Sequence, residues 1–100
     1  MVLAERILDM VASVPRGNVA TYGDIAALAG TPSPRLVGRV LAELSDDATP
    51  WYRILRANGT PASHLVVEQC ERLRSEGVEV NGGRVDLRRF RWRPGALPRG

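Results

Sequence analysis

The chemistry open to this sequence is limited by a few residues. It holds one cysteine, Cys70, and one histidine, His64. A single cysteine allows no internal disulfide and no cysteine metal cluster, and with one histidine zinc lacks its usual ligands. No metal and no cofactor is expected. Cys70 stands at helical spacing with Val66 and Leu73, which puts it on a buried stripe, where a thiol behaves as a small hydrophobe. Nothing beside it in sequence would lower its pKa, and Tyr52, the other conceivable nucleophile, has no evident base beside it. All 14 basic residues are arginine, whose planar fork suits phosphates and base edges. Arg35 and Arg39 fall one helical turn apart. Tyr22 lies where a helix should begin, so its hydroxyl can meet a phosphate beside backbone N–H groups that also favour anions.

Elements that would position these residues follow from periodicity and turn chemistry. Leu3, Ile7, Leu8, Val11 and Ala12 give residues 2–13 an amphipathic helical pattern, ended by Val14-Pro15-Arg16-Gly17-Asn18. Val19-Ala20 reads as a brief extended segment. Thr21 then caps a short helix through Leu28, with Asp24 completing a capping box and Gly30 stopping it. A second helix is predicted from Ser33 or Pro34 to Leu44, with Pro34 in the first turn and Leu36, Val37, Val40 and Leu41 facing inward. Two short helices on a tight turn make a helix-turn-helix candidate. Pro50-Trp51-Tyr52-Arg53-Ile54-Leu55 leads into a short strand, and Asn58-Gly59 marks a turn. Ser63 caps a helix from His64 to Glu76, closed by Gly77. Residues 78–80 and 84–87 flank Asn81-Gly82-Gly83 as a hairpin.

One hundred residues fit one domain, residues 1–100, with 88–100 as a basic tail. Hydrophobic residues at 44% and charged residues at 25% describe a folded chain. No apolar run approaches the roughly 20 residues that span a bilayer, and the start lacks signal-peptide features. A cytoplasmic protein without a membrane partner is expected. The net charge of +3 is unevenly spread: residues 1–80 carry eight arginines against ten acidic residues, and residues 81–100 carry six against one. The basic end points either to a polyanion partner or to a solvated charged terminus. Phe90 and Trp92, interleaved with Arg89, Arg91 and Arg93, are expected to pack back on the domain.

Three segments together are specific. Gly17-Asn18-Val19-Ala20-Thr21-Tyr22-Gly23-Asp24-Ile25-Ala26 is followed by Arg35-Leu36-Val37-Gly38-Arg39-Val40-Leu41, and then by Pro50-Trp51-Tyr52-Arg53-Ile54. In order and spacing they resemble the DNA-binding domain of the O6-alkylguanine-DNA alkyltransferases. More closely still, they resemble the alkyltransferase-like proteins, the non-catalytic branch of that family. The alkyltransferases carry Pro-Cys-His-Arg, where a thiolate takes the alkyl group. Here the segment reads Pro-Trp-Tyr-Arg, and an indole cannot replace a thiolate nucleophile. Trp51 is the hallmark of the alkyltransferase-like branch.

The resemblance implies a mainly α, winged helix-turn-helix-like single domain with a short C-terminal β-hairpin. It implies that Tyr22 helps swing a nucleotide out of the stack, and that Arg35 fills the gap from the minor groove. Gly38 would let the helix approach the DNA closely, and Arg39 is either a phosphate contact or solvated. The implied lesion pocket is formed by Tyr22, Trp51 and Tyr52, with Arg56 or the loop 57–64, including Ser63, bonding to the flipped base. Ser63 serves either that loop or the next helix as its cap, and His64 reads best as a surface histidine at a helix start. Arg53 would hold its loop by bonds to carbonyls. The implied partners are double-stranded DNA with O6-alkylguanine and a damage-recognition protein of nucleotide excision repair, with the chain a monomer that performs no catalysis. The alternatives are a winged-helix sequence-specific transcription regulator, for which no dimerisation helix is evident, and an enzyme using Cys70 or Tyr52.

Overall fold

Thr21 and Asp24 organise the middle of the chain. In the computed structural model, which describes residues 2–62 and 64–95, Thr21 Oγ1 accepts from Asp24 N–H at 3.0 Å, and Asp24 Oδ2 accepts from Thr21 N–H at 3.1 Å. Both halves of a capping box are therefore made, and they start a helix, α2 (Tyr22–Ala29). Gly30 ends it with φ 83°, a left-handed conformation that glycine adopts without a Cβ penalty. Ser33 caps α3 (Pro34–Leu44) by accepting from Leu36 N–H at 3.2 Å, with Pro34 in the first turn. Before this pair comes α1 (Leu3–Ser13), which buries Ile7 and Val11 and leaves Ala12 exposed. These three helices enclose one core, in which Ile7, Val11, Ile25 and Val37 are inaccessible to solvent.

Two short strands lie against this trio. β1 (Ala20–Thr21) and β2 (Ile54–Leu55) pair in parallel, with Ala20 opposite Ile54 and Thr21 opposite Leu55. Strand side chains alternate between faces. Ala20 and Ile54 accordingly join the three-helix core, while Val19 and Leu55 join a second one with Cys70, Leu73, Val78, Val80 and Val85. The C-terminal segment adds a further edge: Val19 N–H donates to Phe90 O at 2.9 Å and Trp92 N–H donates to Val19 O at 2.7 Å. Phe90 and Trp92 pack back on the two cores, as their spacing predicts.

α4 (Val66–Ser75) supplies the second core. It begins two residues later than the pattern suggests, and its N-terminal flank, Leu65, makes no side-chain cap; Ser63, expected to cap it, lies outside the described residues. Cys70 and Leu73 are buried as expected, but Val66 is exposed. The expected hairpin over 78–87 is reduced to one antiparallel bridge between Asn81 and Arg84. The cause is competition for its partners. Val80 O accepts from the Arg74 guanidinium at 3.0 Å, Val85 N–H donates to Gly59 O at 2.9 Å, and Asp86 caps a short helix, α5 (Leu87–Phe90). The domain is mainly helical as predicted, but its sheet is the parallel β1–β2 pair.

Candidate nucleic-acid interface

The parallel pair brings the site together. Tyr22 follows β1 and opens α2, and its ring lies over Gly38 of α3, whose position for a Cβ is 3.7 Å from Tyr22 Cε1. A 3-10 turn, Trp51–Arg53, leads into β2 and sets Trp51 opposite. Between them is an open, largely apolar cavity of about 660 Å³. Tyr22, Pro34, Arg35, Gly38, Leu41 and Ala42 form the helical wall; Ser45, Trp51, Ala62, His64 and Leu65 form the other. Ser45 Oγ is buried there and has no hydrogen-bond partner among the described residues. Burial raises the pKa of the Tyr22 phenol, against a smaller opposing effect of the Arg56 charge. Tyr22 is therefore a neutral donor and acceptor at ordinary pH.

Four of the residues named from sequence meet at this cavity: Tyr22, Arg35, Gly38 and Trp51. Arg35 is exposed and makes no ion pair among the described residues. Arg39, also exposed, pairs with Glu43 at 3.4 Å on its own helix, a solvated contact of little strength. Two residues expected in the pocket do not line it. Arg56 is exposed beyond the end of β2, near enough for its charge to act on Tyr22. Tyr52 turns away behind Trp51, edge to face with it at 5.9 Å. Ser63 falls outside the described residues.

What holds Tyr52 was invisible in the sequence. Its hydroxyl donates to Glu76 Oε2 at 2.8 Å, and Arg53 grips the same carboxylate with Nε at 2.9 Å and Nη2 at 2.6 Å. Arg53 also donates to Val14 O at 2.9 Å, the carbonyl contact expected of it. Tyr52 thus does have a carboxylate beside it, contrary to the sequence reading, yet that group is no base. Burial pushes the Glu76 carboxyl up, but the bonds from Arg53, Tyr52 and Gly17 N–H outweigh it and hold Glu76 below the usual carboxylate range. Burial and the hydrogen bond to Glu76 push the Tyr52 phenol up. The proton stays on Tyr52, so no activated phenolate forms. Gln69, fully buried on α4, donates through Nε2 to Tyr52 O and Ile54 O, each at 3.0 Å. Arg72 of α4 covers both aromatic rings, 5.3 Å from the Tyr52 centroid and 6.0 Å from that of Trp51. The Trp51 wall is thereby fixed from behind by an α4 whose polar face the sequence pattern assigns to solvent.

Residues 3–78 match the family model for the 6-O-methylguanine DNA methyltransferase DNA-binding domain. The chain belongs to this family. Among the members it resembles is the DNA base-flipping protein of Escherichia coli (strain K12), 43% identical over 93 residues that cover 88% of this chain and 72% of that protein. Alkyltransferase-like protein 1 of Schizosaccharomyces pombe is 32% identical over 100 residues, covering 89% of this chain and 93% of that one. The fold superposes on the crystal structure of S. pombe Atl1 in complex with damaged DNA containing O6-carboxymethylguanine, with a TM-score of 0.84 at 30% identity. That match covers 92% of this chain and 95% of Atl1. The helix pair and the turn containing Trp51, which together enclose the cavity, both fall within the matched residues. The segment 79–95 extends past the matched domain.

Proposed function

We propose that this chain binds duplex DNA at O6-alkylguanine, turns the modified base out into the cavity between α3 and Trp51, and holds it there without transferring the alkyl group. The observation that carries the reading is the cavity itself: apolar, walled by Tyr22 and Gly38 on one side and by an indole on the other. An alkyl group on O6 removes the proton from guanine N1 and adds apolar bulk, which suits such a lining. Turning a base out costs a few kcal/mol. Stacking on an aromatic wall returns on the order of 1–3 kcal/mol, and Arg35, exposed on the first turn of α3, would fill the space left in the duplex. The chain's one thiol supports a role without transfer, because Cys70 is only 8% exposed within the second core. A protein that marks a lesion without removing it needs a successor. The reading therefore includes handoff to a damage-recognition ATPase of nucleotide excision repair.

The test is a competition between two short duplexes that differ in one O6-methylguanine, at fixed salt, with the modified strand recovered afterwards. Tighter binding to the lesion with the methyl group still on the DNA is expected. Equal binding to both would reduce the reading to a general DNA-binding domain, and transfer of the methyl group to protein would overturn the role assigned to Trp51.

A further inference from the structure

Beyond the cavity, the loop 56–60 and the segment 81–88 face each other across an open groove of about 450 Å³. Ala57 and Asn58 line one side; Arg84, Val85, Leu87 and Arg88 line the other. We propose that this groove is a second DNA contact, seating the sugar–phosphate backbone to one side of the turned-out base; that choice of partner rests on the function proposed above.

Three observations lead there. The first is unspent charge. Arg53, Arg72, Arg89 and Arg91 each pair with a carboxylate. Arg84 and Arg88 are exposed, and their side chains make no hydrogen bond or ion pair among the described residues. Asp86 is the acidic residue of the groove, and its carboxylate already accepts from Arg88 N–H at 3.0 Å as the cap of α5. The second is rigidity. Gly59, at φ 81°, approaches so closely that a Cβ would lie 2.4 Å from Val85 O, and Val85 N–H donates to Gly59 O at 2.9 Å. The two walls are therefore fastened together at their base, and the groove exists before any ligand arrives. The third is continuity. Thr21 pairs with Leu55 in the parallel sheet, so Tyr22 and Arg56 leave adjacent strand ends side by side. Arg56 is near enough to Tyr22 for its charge to act on that phenol, and it directly precedes Ala57 and Asn58 of the groove wall. Arg84 and Arg88, exposed on the facing wall, make the groove a cationic track. Phosphate backbone is the ligand such a track suits, because it presents charge at regular intervals without demanding a base sequence.

The experiment measures the salt dependence of binding for the full chain and for Arg84→Ala/Arg88→Ala, on lesion and undamaged duplexes with flanks long enough to reach the groove. Each phosphate that is no longer neutralised by an arginine lowers the slope of log K against log salt by about 0.9, so the double variant is expected to lose about 1.8. Affinity should fall by about tenfold at low salt, equally for lesion and undamaged DNA. Arg84→Lys/Arg88→Lys keeps the charges and should restore the slope, and thermal melting checks that all variants fold. An unchanged slope in a folded double-alanine variant would overturn the proposal, as would a loss confined to the lesion duplex. The two readings separate cleanly. A reduced slope in a protein with no lesion preference keeps the groove and sinks the lesion assignment, whereas lesion preference with an unchanged slope does the reverse.

Discussion

Gly38 carries a different demand from the other residues of the cavity. A methyl group there would meet the Tyr22 ring at 3.7 Å, an ordinary contact, so the fold itself does not need glycine at this place in α3. Glycine within a helix costs about 0.5–1 kcal/mol relative to alanine. Gly38→Ala is therefore expected to raise stability by about that amount and, under the proposed function, to weaken DNA binding, because the added methyl would stand on the wall of the cavity assigned to the turned-out base. Denaturant unfolding and duplex titration on the same sample check both halves; undiminished affinity would remove Gly38 from the interface. Tyr22, Arg35, Gly38 and Trp51 were legible in the sequence because each belongs to a motif segment. Gln69 and Glu76 were not. A glutamine on an amphipathic helix reads as solvated, and the partner of Glu76 is fixed only when α4 docks behind the turn holding Tyr52 and Arg53.

At the level of elements, the signals that survived are local ones. The Thr21–Asp24 box, the left-handed Gly30 and the Ser33-Pro34 start each act within one turn of chain, so the sequence alone specifies them. Because Tyr22 is the first residue of α2, the box also sets where its ring points. Thr21→Ala removes the side-chain acceptor for Asp24 N–H and should cost about 1 kcal/mol, with Thr21→Ser retaining most of that. Equal stability of the two variants, measured by chemical denaturation, would contradict the role given to the cap. The hairpin failed for the opposite reason. Val78, Val80 and Val85 have the alternation of a strand, but alternation reports burial rather than pairing. The groups that claim their backbone lie on α4 and in the loop 56–60.

Across the whole molecule, two carboxylates join distant parts. Glu76 ties α4 to the turn 51–53 and to Gly17. Asp24 ties α2 to the C-terminal segment through Arg91 Nε at 2.9 Å. Burial raises the Asp24 carboxyl, but its bonds to Arg91 and Thr21 prevail, so both groups sit below the usual carboxylate range. A depressed folded pKa contributes stability that is complete above the unfolded value and is lost as pH falls through the folded one. The protein should therefore lose stability below about pH 4. Tyr52, shifted upward, works in the other sense, and its contribution fades as pH rises above about 10. Glu76→Gln leaves Arg53 without its counter-charge at a site where the two side chains are 13% and 2% exposed. It should cost about 3–5 kcal/mol at neutral pH and flatten the acid limb of a stability-against-pH curve; an acid limb as steep as the parent's would show that other groups govern it. The small sheet has one further consequence. Its edges come from residues 19–21, 54–55 and 90–92, and pairings so far apart in sequence close slowly. On a ribosome the helical trio can gather early, but Val19 waits for Phe90 and Trp92 to emerge. Until those two residues arrive, the second core has one edge open, so a chain stalled before them exposes Val19 backbone groups to any other strand.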